Sequence, residues 1–86
     1  MTTPDYLTAM EGRQIRAARA LLGWSQSDLC ERSNISRTTL NDLENDKGDP
    51  RKSSMTRVEE AFARHGVIFL NTGDVRSGGP GVRLRS

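Results

Sequence analysis

The stretch Gln26-Ser27-Asp28-Leu29-Cys30-Glu31-Arg32-Ser33-Asn34-Ile35-Ser36-Arg37-Thr38-Thr39-Leu40-Asn41-Asp42-Leu43-Glu44 decides the reading of this chain. Ser25 precedes it as an N-cap, and Asp28 puts an acid in the first turn, where the positive end of a helix favours it. Trp24 before the cap and Leu29 at the fourth helical position have the arrangement of a hydrophobic staple. Ser36 opens another helix in the same way, with Ile35 and Leu40 as its staple pair. Between them lies Ser33-Asn34-Ile35. Asn is the commonest non-glycine residue at positive φ, so Asn34 suits a sharp turn there. The pattern predicts two short capped helices joined by a turn of about three residues, which is the physical content of a helix-turn-helix.

Upstream, Thr8-Ala9-Met10-Glu11 has the form of a capping box with Thr8 as N-cap, and predicts a first helix over roughly Ala9–Leu22. Ile15, Ala18, Leu21 and Leu22 fall on it at helical spacing; Gly12 is expected to weaken its first turn, and Gly23 to take the left-handed position after its end. Downstream, residues 46–52 read as a polar loop with Gly48 and Pro50. A fourth helix is expected over Ser54–Arg64, with Met55, Val58, Ala61 and Phe62 on one face and Gly66 as its stop. Val67–Leu70 reads as a strand, residues 71–81 as glycine-rich and turn-like, and Val82–Arg85 as a half-buried strand of alternating apolar and charged residues. The expected fold is mainly α: a bundle of four helices over residues 8–66, with a short C-terminal β element over 67–86.

The central stretch resembles the helix-turn-helix family of the phage lambda repressor and Cro proteins, the XRE family. The positions that carry the resemblance are Gln26, Leu29, Cys30, Asn34, Ile35, Leu40, Leu43 and Glu44, and the preceding Arg16–Ser25 looks like the family's first helix. It covers roughly residues 9–66. Two places depart from the family pattern: Cys30 stands where Ala is usual, and Asn34 where Gly is usual. Each is tolerable, the first as a small residue between two helices, the second because Asn accepts positive φ.

A recognition helix enters the major groove by its N-terminal end. On that expectation Arg37, Thr38, Asn41 and Asp42 are the base readers. Arg37 can donate twice to guanine and Asn41 can pair with adenine, while Asp42 can accept from cytosine or orient Arg37. Ser25, Gln26, Ser36, Thr39, Asn45, Lys47, Arg51 and Lys52 are the candidates for phosphate contacts. The resemblance further implies a structural clamp between Arg19 and Glu44. His65 near a helix end suits the carbonyl end of that helix.

Composition sets the outer limits. Eighty-six residues make one domain. Thirteen basic and eleven acidic residues give +2, and Arg76, Arg83, Arg85 and Asp74 supply all of it. A DNA-binding surface must therefore come from basic residues gathered on one face. The single cysteine points to a reducing, cytoplasmic setting; no apolar run long enough to span a membrane and no secretory signal are visible. No metal-binding spacing, glycine-rich phosphate loop or nucleophile–base pair is present, so neither an enzyme nor a cofactor is expected. Val67, Phe69, Val82 and Leu84 have no obvious partners in so small a helical core; the two strands could fold back on the helices or pair with the same strands of a second copy, since an exposed edge is a ready template. Cro-like proteins often dimerise this way. The reading is a repressor that binds a near-palindromic operator as a homodimer. The alternative is an antitoxin-type protein that binds a partner toxin and regulates its own promoter.

Overall fold

The computed structural model describes residues 11–48, 51–70 and 81–85. Four helices and a hairpin follow in chain order: α1 Gly12–Leu22, α2 Gln26–Ser33, α3 Arg37–Glu44, α4 Lys52–Arg64, β1 Val67–Leu70 and β2 Gly81–Leu84. No helix among these residues is long and apolar enough to cross a membrane.

Side-chain chemistry sets most of the boundaries. Ser25 Oγ accepts from Asp28 N at 3.0 Å while Asp28 Oδ2 accepts from Ser25 N at 2.8 Å, a reciprocal box that starts α2. Ser36 Oγ accepts from Thr39 N at 3.1 Å and starts α3. Asn34 lies between them at φ 58°, ψ 46°, left-handed as its residue type suggested. Gly23 and Gly66 close α1 and α4 at positive φ.

Two starts differ from expectation. Thr8 lies outside the described residues, and Glu11 is extended, so α1 begins at Gly12 with Glu11 as its N-cap. Gln14 Oε1, three residues on, accepts from Glu11 N at 2.7 Å and supplies the box that Glu11 was expected to close. Gly12 is no weak point: a Cβ there would overlap the backbone carbonyls of Glu44 and Leu43. The start of α1 is thus pressed against the end of α3. Gly12 N donates to Asp46 Oδ1 at 2.9 Å, and the Arg16 guanidinium donates to the Glu44 carbonyl. The fourth helix begins two residues earlier than the sequence suggested, at Lys52 with Arg51 as N-cap.

One core runs through all the elements. Ile15 and Ala18 of α1, Leu29 of α2, Leu40 and Leu43 of α3, and Met55, Val58, Ala61 and Phe62 of α4 are buried. Trp24 leaves α1 to stack on Phe62, with ring centroids 5.5 Å apart, and His65 meets its edge at 4.8 Å. The Arg32 guanidinium lies over the same indole, 4.8 Å from its centroid. Arg57 and Arg64 donate from α4 to the carbonyls of Asn34 and Arg32, so α4 satisfies acceptors at the end of α2.

β1 and β2 pair antiparallel within the chain: Val67 with Leu84, Ile68 with Arg83, Phe69 with Val82. Alternation puts Val67, Phe69, Val82 and Leu84 on one face. That face turns inward. Val67 is 3% exposed and belongs to the core, Val82 packs against it, and Phe69 meets Phe62 edge-on at 5.6 Å. Of the two possibilities for these strands, folding back on the helices is the one observed, and Val67, Phe69 and Val82 find partners in their own chain. Leu84, 44% exposed, is the exception. The hairpin is fastened at both ends, by Gln14 Nε2 donating to Gly81 O at 3.1 Å and by Arg85 N donating to Gly66 O at 2.6 Å.

Candidate nucleic-acid interface

The N-terminal ends of α2 and α3 emerge beside one another, each opened by a serine cap. Arg37, Thr38, Asn41 and Asp42 are all exposed on α3. They do not form one cluster. Arg37 and Asn41 sit one turn apart on the side that faces α2. Asp42 lies on the other side, lining with Thr39, Leu43, Lys47, Gly48, Arg51 and Ser54 a cleft of about 180 Å³ between α3 and the start of α4.

Gln26, the first residue of α2, ties the inner side together. Its Nε2 donates to Asn41 Oδ1 at 2.9 Å and to Glu44 Oε1 at 3.0 Å, while its Oε1 accepts from Arg37 Nε at 2.7 Å. A second Arg37 nitrogen, Nη1, donates to Ser27 Oγ at 3.3 Å. Arg37 is thus oriented by Gln26 and Ser27, so of the two roles expected for Asp42, accepting from cytosine or orienting Arg37, the second falls to other residues. Ser27 itself gave no signal: a serine in the first turn of a short helix reads as ordinary capping chemistry.

Beneath Gln26 lies the anchor. Arg19 Nε meets Glu44 Oε2 at 2.6 Å and Arg19 Nη2 meets Oε1 at 3.1 Å, a two-point pair in which the Glu44 side chain is 3% exposed. Arg19 Nη1 also donates to Trp24 O at 3.1 Å. The geometry joins α1, α2 and α3 through one buried carboxylate whose remaining valence goes to Gln26. A buried charge in a fully bonded site holds its neighbours in one arrangement far more firmly than a solvated pair does.

The other sequence-predicted polar residues have varied situations. Ser25 and Ser36 are spent as caps, and Ser36 Oγ also donates to Thr39 Oγ1 at 2.9 Å. The Asn45 side chain turns back on its own helix, Nδ2 donating to Asn41 O at 2.8 Å. Lys47, Arg51 and Lys52 are exposed along the loop into α4. Their placement runs against the helix dipole, since α4 has no acid in its first turn and no side-chain cap. Basic residues at a positive helix end leave an anion as the favourable neighbour.

Three titratable groups nearby are displaced from their ordinary values. The Ser25 backbone N–H, then its hydroxyl, hold the Asp28 carboxyl below the usual range. Burial pushes the Cys30 thiol up against the opposing charge of Arg37. Burial, with Glu60 beside it, pushes Glu59 up. No group of three or more His, Cys, Asp or Glu suited to a metal ion is present among the described residues.

Comparison with curated proteins finds no match. The helix-turn-helix family model matches residues 15–67, more than half of the chain and the whole of α1 to α4 apart from the first three residues of α1. Two capped helices around a left-handed Asn34, with the exposed ends of α2 and α3 side by side, are what that family presents to DNA. The chain belongs to the lambda repressor and Cro-type, or XRE, family of helix-turn-helix proteins, and is a DNA-binding transcriptional regulator.

Proposed function

We propose that this regulator is a repressor that binds a near-palindromic operator as a homodimer, with α3 in the major groove. The observation that carries the reading is the pairing of Arg37 and Asn41 through a single amide, Gln26, seated on the buried Glu44. Two exposed side chains held ready before DNA arrives lose little freedom on binding. Arg37, Thr38 and Asn41 are assigned to bases. Lys47, Arg51 and Lys52, with the amide groups opening α2 and α3, are assigned to phosphates. The remaining polar candidates, Gln26 and Asn45 among them, contribute through the positions they enforce.

One such domain reads only a few base pairs, and two-fold pairing doubles that length and sets the recognition helices about 34–36 Å apart. Leu21 and Leu84 support an interface on the α1–β2 side, because they are the large apolar side chains left exposed among the described residues. The Gln14–Gly81 bond ties the start of β2 to the start of α1. At the far end, the Arg85–Gly66 bond and the Trp24–His65 contact bring both C-termini to the end of α4. The two leucines therefore lie toward the same end of the domain.

The experiment compares Arg37→Ala with Lys52→Ala on operator and random DNA. Arg37→Ala should cost about 1–3 kcal/mol on the operator and relax preference at one base pair per half-site. Lys52→Ala should weaken binding to all sequences alike and lower the salt slope by about one. Equal small losses for Arg37→Ala on specific and random DNA would remove it as a reader.

A further inference from the structure

The end of α2 and the second half of α4 border another open cleft, of about 220 Å³, lined by Arg32, Ser33, Asn34, Arg57, Glu60 and Arg64. Three guanidinium groups meet there with a single carboxylate. Arg57, Glu60 and Arg64 fall at i, i+3 and i+7, on one stripe of α4. None of the three arginines forms an ion pair among the described residues. Arg57 Nη1 donates to Asn34 O at 3.2 Å and Arg64 Nη2 donates to Arg32 O at 3.1 Å, while the Arg32 guanidinium rests on the Trp24 ring. Capping the carbonyls of α2 accounts for one hydrogen bond from each of Arg57 and Arg64. A guanidinium carries five N–H donors in a rigid fork. Each of these side chains is held at one point and keeps most of its donors for a group outside the domain.

Such a surface suits an anion, and Glu60 decides which kind. Glu60 is exposed and makes no ion pair among the described residues, although Arg57 and Arg64 stand three and four positions from it on the same helix. Both arginines turn to α2 instead. A phosphate backbone is densely negative and carries only acceptors there, so it would press its charge on Glu60 and offer it nothing. A peptide spaces its carboxylates and sets backbone N–H groups between them, from which Glu60 can accept. Position points the same way. α4 is 13 residues long, which puts Arg64 about 18 Å along the helix from Lys52 and the end assigned to phosphates. The cleft also lies at the end of α2 opposite Ser25 and Gln26. We propose that this cleft docks an Asp- and Glu-rich segment of a partner protein, its carboxylates on Arg32, Arg57 and Arg64 and a backbone donor on Glu60, while the opposite ends of α2 and α4 hold DNA.

Fluorescence anisotropy tests this on the full-length chain with two labelled probes, a short peptide of glutamate and glycine and a single-stranded oligonucleotide. The peptide should bind saturably, and Arg32→Gln and Arg64→Gln should each weaken it by about fivefold. The Arg32 side chain caps no carbonyl of α2, so Arg32→Gln keeps the test valid where Arg64→Gln loosens the fold. Lys52→Ala, which removes an equal charge from the other end of α4, should leave the affinity for the peptide unchanged. Arg32→Gln should leave the affinity for the oligonucleotide unchanged. A peptide that does not bind saturably overturns the proposal. Equal losses of peptide binding in Lys52→Ala and Arg32→Gln overturn it as well, because net charge alone would then account for the binding. An oligonucleotide that loses as much affinity as the peptide in Arg32→Gln assigns the cleft to phosphates and overturns it too.

Discussion

A methyl group at position 12 has nowhere to go, because the carbonyls of Glu44 and Leu43 already occupy the space it would fill. Both neighbours are backbone and cannot swing aside. Gly12→Ala should therefore destabilise the domain by about 1–3 kcal/mol, although alanine is the better helix former. A thermal melt checks this, with a fall of about 4–8 °C expected per kcal/mol; an unchanged melting temperature would show that α1 and α3 do not meet so closely. Asn34 poses the opposite problem, a side chain at φ 58°. Asn34→Gly should be tolerated, since glycine enters this region freely. Asn34→Val should cost about 1–2 kcal/mol, because the β-branched side chain meets the following carbonyl. Equal melting temperatures for the two variants would contradict the left-handed turn.

Among the elements, α2 is held at its start by charge and at its end by another helix. The bond from Ser25 N lowers the folded value of Asp28 beneath its unfolded one. The stability it contributes is complete above the ordinary carboxylate range and is lost as pH falls through the lowered value. Asp28→Ala should thus melt below wild type near pH 7, and the gap should narrow as pH falls below the ordinary carboxylate range and through the lowered folded value. A gap of constant size would mean that the charge plays no part. The other end of α2 depends on Arg57 and Arg64, whose roles no local pattern announces. They stand seven residues apart on α4, two turns of helix, and become caps only when α4 crosses the end of α2.

For the whole molecule, the hairpin closes the core, and this changes what truncation would do. Removing residues 82–86 takes away Val82, the partner strand of β1 and the Arg85–Gly66 bond, so it should lower the melting temperature along with any change in assembly. Leu84 is the cleaner probe, being exposed and opposite buried Val67. Leu84→Ser should leave the fold nearly as stable and shift the protein toward monomer, weakening operator binding. Sedimentation at matched concentration decides, and a variant that stays fully dimeric would move the interface off this hairpin.

The elements of this chain were legible because their signals are local. A serine three residues before an amide it can cap, an asparagine where the backbone must turn left-handed, and apolar residues at the period of a helix each act over a few positions. Local free energy is enough to place α2, α3 and the turn between them, and Val67–Leu70 as a strand. What the sequence left open are contacts between residues far apart in the chain. Gly12 reads as a weakness until Glu44 is beside it, and Gln26 reads as a phosphate contact until the fold brings it onto Arg37 and Asn41. Val67, Phe69 and Val82 read as surplus until the hairpin folds onto α1 and α4. The orientation of the Asn41 amide is the furthest from the sequence, since it follows from a chain of hydrogen bonds running from Arg19 through Glu44 and Gln26. Each bond in that chain has a direction, and only the tertiary fold brings the four residues within reach of one another.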